Sequence, residues 1–238
     1  MEVGGIDIKW LGHSGFLIRN STSQEPHDES SVKISTKDKV IYIDPYNILE
    51  GTEKADLILL THSHYDHCSF VDINKIIKEG TKIILPADCQ SKITRFNIPI
   101  DIQIIEPGQD LTFEGIHLSA LPAYNLDKPF HKKEDGWVGY LIKINGAIVY
   151  HAGDTDIIPE MQKLTGYKQA DKRFVALLPV GGRFTMSVEE AAEAAKLIKP
   201  FLAVPMHWGS VVGTKNDAEE FVQMCEEDGI NAKILEKE

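Results

Sequence analysis

The sequence is poor in the features that mark several common classes of protein. It has only 3 cysteines in 238 residues, and their odd number and wide spacing exclude a disulfide framework. The scattered thiols of Cys68, Cys89 and Cys225 fit a reducing compartment, so we expect a cytoplasmic protein. No apolar run approaches the ~20 residues of a membrane-spanning helix, and no membrane partner is expected. The N-terminal segment, which carries Glu2 and Asp7, lacks the apolar stretch of a signal peptide.

Positive charge is also scarce. The chain has 25 Lys and Arg against 36 Asp and Glu, which gives a formal net charge of −11. Such a charge repels phosphate backbones, and the longest basic cluster is Lys132-Lys133, so nucleic acid is not an expected partner. With 42% hydrophobic residues the chain can bury a large core. Because no Pro/Gly/Ser-rich linker divides it, we predict a single domain over 1–238.

Strands are predicted wherever apolar and polar residues alternate, or where a short apolar run stands between turn residues. The run at 57–60 is apolar throughout, which is typical of a strand buried on both faces. The dipeptide Asn145-Gly146 predicts a hairpin between two of the strands. The predicted strands span 6–10, 16–18, 32–34, 40–43, 57–60, 81–85, 102–105, 111–113, 116–121, 138–144, 147–150, 174–178, 201–205 and 232–235.

Helices are predicted from their capping residues. Ser69 is placed to cap a helix that Gly80 ends. Ser187 and Glu190 have the spacing of a capping box, at the start of a helix that reaches Lys199. Strands in both halves of the chain, with helices between them, indicate a layered α/β fold. The other two predicted helices span 87–95 and 217–227.

Histidine and aspartate residues follow directly after three of the predicted strands, at 62–67, 151–154 and 207. A layered α/β fold places active sites at such strand ends, since loops converge there while the sheet holds them rigid. The sequence therefore predicts that these three segments build one functional site.

The first segment is the most informative, because His62, His64, Asp66 and His67 are four metal-binding side chains within six residues. A lone histidine is usually a surface or core residue, but such a cluster after a buried strand is rarely structural. Imidazole and carboxylate groups bind divalent first-row metals. Alternate residues point the same way, so His62 and His64 can hold one ion while Asp66 and His67 point towards a second. Two ions ~3.5–4 Å apart can hold a bridging hydroxide.

The cluster His62-x-His64-x-Asp66-His67 resembles the signature of the metallo-β-lactamase superfamily. The whole chain is similar to the branch that contains L-ascorbate-6-phosphate lactonase and, more distantly, the phospholipase D that acts on N-acyl phosphatidylethanolamine. This resemblance implies a four-layer αββα sandwich. The supporting segments are Leu11-Gly12-His13-Ser14, Ile43-Asp44-Pro45, His151-Ala152-Gly153-Asp154-Thr155 and His207-Trp208-Gly209.

The resemblance also implies a ligand set for two divalent ions, with zinc expected and manganese or iron as alternatives. It assigns His62 and His64 to a first metal. It assigns Asp66, His67 and His207 to a second. Asp154 is implied to bridge the two metals, the alternative being an ordinary turn residue.

Two further residues are expected beside these ligands. Metal-bound imidazoles usually donate their other N–H to a carboxylate or carbonyl group, so we expect Asp44 to support one of the ligand histidines. His13 stands in a turn between two glycines, and we expect it to point into the site.

One departure from the family pattern concerns the first metal. The superfamily supplies a further histidine before the bridging aspartate, but here the expected place reads Pro122-Ala123-Tyr124-Asn125. Asn125 would be a weak ligand, since an amide oxygen suits hard cations better than zinc. The alternatives are an open position on the metal, or a ligand from His131 in the following loop. His117, in a predicted strand, is a further candidate.

His131 has two interpretations. It lies in the basic loop 128–133, and it is either a catalytic group that contacts substrate or a chance histidine in a solvated loop.

The expected function is hydrolysis of a small ester, lactone or phosphodiester by a metal-bound hydroxide. Asp66 would orient the hydroxide and accept its proton. The expected partner is a small molecule, with phosphorylated compounds among the candidates. The alternatives are an RNA-processing nuclease of the same superfamily, or a non-catalytic metal-binding protein with a degenerate site, which Asn125 would explain. The sequence predicts neither the substrate nor the oligomeric state.

Overall fold

Two β-sheets form the centre of the structure, a computed structural model that describes residues 1–20, 38–93, 95–167 and 173–238. Seven strands lie side by side in chain order in the first sheet. The first four strands pair antiparallel and the last four pair parallel. The strands are β1 (Glu2–Val3), β2 (Ile6–Gly12), β3 (Gly15–Asn20), β4 (Lys39–Ile43), β5 (Leu57–Leu59), β6 (Lys82–Leu85) and β7 (Asp101–Ile104).

The second sheet has six strands and repeats this arrangement, since antiparallel pairs are again followed by parallel ones. The predicted hairpin at Asn145-Gly146 joins two of its strands, with Ile144 paired to Ala147. The strands are β8 (Asp110–Phe113), β9 (Ile116–Pro122), β10 (Val138–Ile144), β11 (Ala147–His151), β12 (Arg173–Pro179) and β13 (Leu202–Met206).

Helices cover the outer faces of both sheets. The α-helices are α1 (Phe70–Ile76), α2 (Gln90–Ile93), α3 (Val188–Ile198) and α4 (Lys215–Glu227). Short 3₁₀ helices lie at Ala87–Cys89, Lys133–Asp135 and Pro159–Tyr167. No helix among the described residues is long and apolar enough to span a membrane.

The alternation of side chains along β4 shows how the layers are built. Ile41 and Ile43 belong to the large core between the two sheets, whereas Tyr42 belongs to a smaller core shared with α1 and α2. On the far side, buried residues such as Ala195 of α3 and Phe221 of α4 join the large core. The order helix, sheet, sheet, helix confirms the predicted αββα sandwich.

Two of the predicted elements differ from the structure. Helix α1 starts after the predicted cap, Ser69, but it ends at Ile76 because Ile77 is already extended, so Gly80 lies beyond it. The predicted strand at 232–235 is wrong, since the chain there makes only one isolated bridge, between Ala232 and Ala203. The predicted strand at 32–34 lies outside the described residues.

The capping box of α3 provides a test of local stability. The Ser187 hydroxyl accepts from the Glu190 N–H at 3.2 Å, and the Glu190 carboxylate accepts from the Ser187 N–H at 2.8 Å. We expect Ser187→Ala to lower the free energy of unfolding by about 1 kcal/mol, because an N-terminal N–H group loses its acceptor. Urea unfolding measures the change. Ser91→Ala is the matched control, since Ser91 is exposed and makes only a 3.5 Å contact. Equal stability of the two variants would contradict this role of Ser187.

Candidate metal centre

The C-terminal ends of five strands lie at one edge of the sandwich. β4 runs parallel to β5, and β11 is parallel to β12, which is parallel to β13. β9 runs in the same direction as β11, since each pairs antiparallel with β10. The segments that follow these strands therefore meet at one place, and they carry Asp44, the 62–67 cluster, the 123–137 loop, Asp154 and His207.

Four side chains of this edge form a first group, in which ligand atoms face one another. His62 Nε2 lies 3.1 Å from His64 Nδ1, and His64 Nδ1 lies 3.2 Å from His131 Nε2. Asp154 Oδ2 is 3.3 Å from His131 Nε2 and 3.8 Å from His62 Nε2. Tetrahedral zinc with bonds of ~2.0–2.1 Å places its ligand atoms ~3.3 Å apart, so the spacing of the group suits such an ion.

A second group lies beside the first and contains His13, Asp66, His67 and His207, all of them buried. His67 Nε2 lies 3.7 Å from Asp66 Oδ2, and the ring of His207 lies 5.5 Å from that of His67. His67 Nε2 is buried and has no hydrogen-bond partner among the described residues. A nitrogen lone pair left in this way is what a metal ligand offers.

Asp154 stands between the two groups. Its Oδ1 lies 3.4 Å from His67 Nε2, and its Oδ2 lies 3.0 Å from His207 Nε2 as well as close to His131 and His62. Oδ1 is buried without a hydrogen-bond partner in the described structure. One carboxylate therefore reaches imidazoles of both groups, and the donor atoms present fit a pair of divalent ions.

Asp44 fixes the orientation of His67. Its Oδ2 accepts from His67 Nδ1 at 2.7 Å and from the Thr61 hydroxyl at 2.6 Å, and its Oδ1 accepts from the Thr61 N–H at 2.8 Å. With Nδ1 bonded to Asp44, His67 turns Nε2 towards the site, where a metal ion would take the place of a proton. Asp44 is fully buried and lies beside the ligand group, where the sequence placed it.

Hydrogen bonds also orient two histidines of the first group. His62 Nδ1 lies 3.0 Å from the Thr61 hydroxyl oxygen, which accepts its proton because the hydroxyl itself donates to Asp44. His131 Nδ1 donates to the Phe184 carbonyl at 2.9 Å. Both rings therefore direct an unprotonated Nε2 at the first group.

The structure places Asn125 behind His131. Its amide Nδ2 donates to the carbonyls of Phe130 at 3.0 Å and Phe184 at 2.7 Å, and its backbone N–H donates to the His131 carbonyl at 2.7 Å. These bonds hold the loop that carries His131, so Asn125 supports the position of that ring. Of the other candidates, His117 is exposed and bonded to Thr112, away from both groups.

His13 is buried beside Asp66. Its Nε2 lies 2.9 Å from Asp66 Oδ2, and its ring centre lies 4.1 Å from that of His207. The bond to Asp66 has the length of a charge-assisted hydrogen bond in which the imidazole N–H donates to the carboxylate. His13 therefore points into the site and restrains the Asp66 side chain.

Burial and neighbouring charges set the ionisation of the site. Burial by itself raises the pKa of Asp154, but His207 and His67 outweigh it and bring the pKa well below its ordinary value. Burial also raises the pKa of Asp66, but the hydrogen bond from His13 and the positive charge of His67 and His13 together outweigh burial and lower the pKa to about 2. Burial lowers the pKa of His62 well below its ordinary value. Ionised carboxylates and neutral imidazoles are the forms that bind metals.

His67 differs from the other imidazoles. Burial lowers its pKa, yet Asp154 and Asp44 outweigh this effect and raise the pKa well above the ordinary value. Two buried carboxylates around one ring favour positive charge at this point, and a divalent ion supplies such charge.

The backbone is strained at the site. His13, Asp44, His131 and His207 have φ values of 53°, 44°, 54° and 60°, and they are four of the eight non-glycine residues with positive φ in the described part of the chain. Residues other than glycine rarely adopt positive φ values, so the surrounding structure must hold these four residues in that conformation.

Two contributors were not predicted from the sequence. Thr61 links Asp44 to His62, and its place directly before His62 was the available signal. Trp137 packs on the first group, with its ring centre 4.7 Å from that of His62 and 4.9 Å from that of His64. It stands directly before β10, and no sequence pattern marks it.

Comparison with known proteins supports the metallo-β-lactamase class that the sequence resembles. The family model described as the β-lactamase superfamily domain matches residues 26–207. A candidate metal-dependent hydrolase from Parabacteroides distasonis has a similar structure, with a TM-score of 0.76 and 28% identity over 98% of this chain and 94% of that one. A metallo-hydrolase from Ignicoccus hospitalis has a TM-score of 0.70 and 26% identity over 98% and 95%. The fold is that of the metallo-β-lactamases.

Relatives in the UPF0173 group are more similar in sequence. A UPF0173 metal-dependent hydrolase of Thermococcus kodakarensis is 33% identical over 92% of this chain and 92% of its own. One from Pyrococcus abyssi is 32% identical over 97% of this chain and 95% of its own. The chain therefore belongs to the UPF0173 family of metal-dependent hydrolases in the metallo-β-lactamase superfamily.

Asp44 provides a test of metal binding by the second group. We expect Asp44→Asn to weaken zinc binding by about 10–100-fold, because the amide cannot accept all three hydrogen bonds and leaves the His67 ring poorly oriented. Competition with a chromophoric chelator measures the affinity. Asp101→Asn is the control, since Asp101 lies on an edge strand and pairs only with Lys82 at the surface. Unchanged affinity in a folded Asp44→Asn protein would contradict the orienting role.

Proposed function

We propose that this protein hydrolyses a small ester, lactone or phosphodiester with the aid of two divalent ions, zinc first among the candidates. The observation that carries the proposal is the position of Asp154, whose two oxygens face imidazoles of both groups. A carboxylate shared in this way suits a pair of ions better than one ion.

The two groups divide the ligands between them. In this proposal His62, His64 and His131 hold the first ion. His131 takes the ligand position for which Asn125 was the first candidate. Asp66, His67 and His207 hold the second ion, and Asp154 serves both. Bound divalent ions would acidify a water molecule, lowering its pKa from 15.7 towards ~7, and would stabilise negative charge on the substrate.

The chain itself supplies proton transfer and orientation. Asp66 is the proposed catalytic base, because it belongs to the second ligand group and its ionised carboxylate can take the proton of the attacking water. His13 holds Asp66 Oδ2 by a 2.9 Å hydrogen bond and so fixes the direction of the other oxygen. Asp44 and Thr61 keep the His67 and His62 rings turned towards the ions.

Two alternatives are less well supported. A non-catalytic protein with a degenerate site would be explained by Asn125, but His131 supplies an imidazole at the same place. An RNA-processing nuclease would require a basic surface, and the net charge of −11 opposes one.

The remaining expectations belong to the same proposal. The partner is a small molecule, phosphorylated compounds included, rather than nucleic acid or a membrane. One domain over 1–238 is supported by a core that draws on strands of both sheets. A cytoplasmic location is supported by three buried cysteines, all of them free thiols.

The catalytic role of Asp66 is tested by Asp66→Ala. We expect turnover of bis(4-nitrophenyl) phosphate and of aryl esters to fall by about 10²–10⁴-fold, because the general base is lost. Initial rates are measured with zinc or manganese added. Asp110→Ala is the control, since Asp110 is exposed on β8, remote from the site. Full activity in Asp66→Ala would contradict the mechanism.

The assignment of His131 is tested by metal content. His131→Ala is expected to bind one metal equivalent less than the wild type after zinc loading and desalting, because the first ion loses a ligand from a site of only four. Inductively coupled plasma mass spectrometry measures the metal content. His117→Ala, in which an exposed histidine is removed, serves as the control. If both variants keep the wild-type metal content, His131 is not a ligand.

A further inference from the structure

A cavity of about 420 Å³ lies directly beside the second ligand group. Its lining includes His13, a member of that group, and Trp208, which follows the ligand candidate His207 in the chain. The volume falls within the ~300–1,000 Å³ range of small-molecule sites. A substrate positioned at the ligand groups can therefore extend into this cavity.

Two tryptophans give the cavity an apolar surface. The rings of Trp10 and Trp208 stack with their centres 4.5 Å apart, inclined by 27°. The Trp10 indole N–H donates to the His13 carbonyl at 2.9 Å, and that of Trp208 donates to the Pro205 carbonyl at 3.2 Å. Since both N–H groups are bonded within the protein, the indoles offer only carbon surface to a ligand.

Another part of the wall comes from the C-terminal segment, which contributes Ile234 and Leu235 to the lining. The side chain of Lys237 lies over Gly12, where an added Cβ atom would come within 2.9 Å of Lys237 Cε and 3.2 Å of Cδ. The methylene groups of Lys237 thus cover the turn that carries His13 and extend the apolar wall.

The charged groups around the cavity balance one another. Lys215 pairs with Glu219 at 3.0 Å, and Lys237 and Glu236 carry opposite charges. Four aromatic or histidine rings and two aliphatic side chains line the rest, together with small and polar residues of the turns. The lining therefore favours an uncharged ligand, since a charged ligand would lose its hydration and gain no compensating charge from the protein.

We propose that this cavity binds an uncharged, ring-sized apolar group of the substrate, next to the bond that is hydrolysed. This inference rests on the proposed function, and it adds a preference for esters or diesters that carry an aromatic or alicyclic substituent. Trp10 and Trp208 contact the ring, and the C-terminal segment closes the cavity around it.

The test uses a variant that fills the cavity from an exposed loop. Ser210 lines the cavity, whereas its neighbour Val211 is 38% exposed and does not. Ser210→Trp places an indole at the cavity, and Val211→Trp adds the same side chain outside it. Thermal unfolding is the control that checks whether both variants fold.

Binding is measured first with N-phenyl-1-naphthylamine, a neutral aromatic probe that is excited by energy transfer from tryptophan. We expect the wild type and Val211→Trp to bind the probe and Ser210→Trp to bind it at least about ten-fold more weakly. Equal binding by all three proteins would overturn the proposal. This measurement does not depend on catalysis.

Kinetics provide the second readout. In Ser210→Trp we expect kcat/KM for 2-naphthyl acetate to fall by at least about ten-fold and that for ethyl acetate by less than about three-fold, because only the naphthyl group needs the cavity. An equal fall for both esters would overturn the proposal while leaving the hydrolase function in place. If the wild type hydrolyses neither ester, the proposed ester hydrolysis fails, and the probe titration alone decides whether the cavity binds apolar rings.

Discussion

A single buried carboxylate, Asp154, is the feature on which the rest of the site depends. Its oxygens lie 3.0–3.8 Å from nitrogens of His62, His67, His131 and His207, which come from three different segments of the chain. An ionised carboxylate is costly to bury unless positive charge surrounds it. The surrounding imidazoles contribute to that compensation, and a bound metal ion would add to it. Asp154 is the carboxylate whose oxygens face nitrogens of both ligand groups.

The sandwich provides the precision that this arrangement needs. Parallel strands in both sheets end at one edge, so short turns from each sheet converge there. Several of these turns are held in strained backbone conformations, at His13, Asp44, His131 and His207. Strain of this kind persists only where packing and hydrogen bonds over-determine the structure. Here the buried bonds of Asp44 to Thr61 and His67 contribute to that support. Rigid sheets and strained turns together preorganise the site before any ion binds.

Much of the fold and the centre of the site could be predicted from the sequence, because the relevant signals are local. The 62–67 cluster is one short segment, and the strand before it reads as buried on both faces. Contacts between distant segments could not be predicted in this way. The sequence offered His131 only as one of several alternatives, because it reaches the first group through a loop that Asn125 and Phe184 hold, and Trp137 joins through the pairing of β10. The single bridge at Ala232 likewise depends on how the chain passes the edge of β13.

The most direct test of the proposed two-metal site is an anomalous diffraction map of crystals grown with zinc. We expect two peaks about 3.5–4 Å apart, with Asp154 in contact with both. One peak should lie among His62, His64 and His131, and the other among Asp66, His67 and His207. A single peak, or a first ion bound by Asn125 with His131 turned away, would contradict this assignment of ligands.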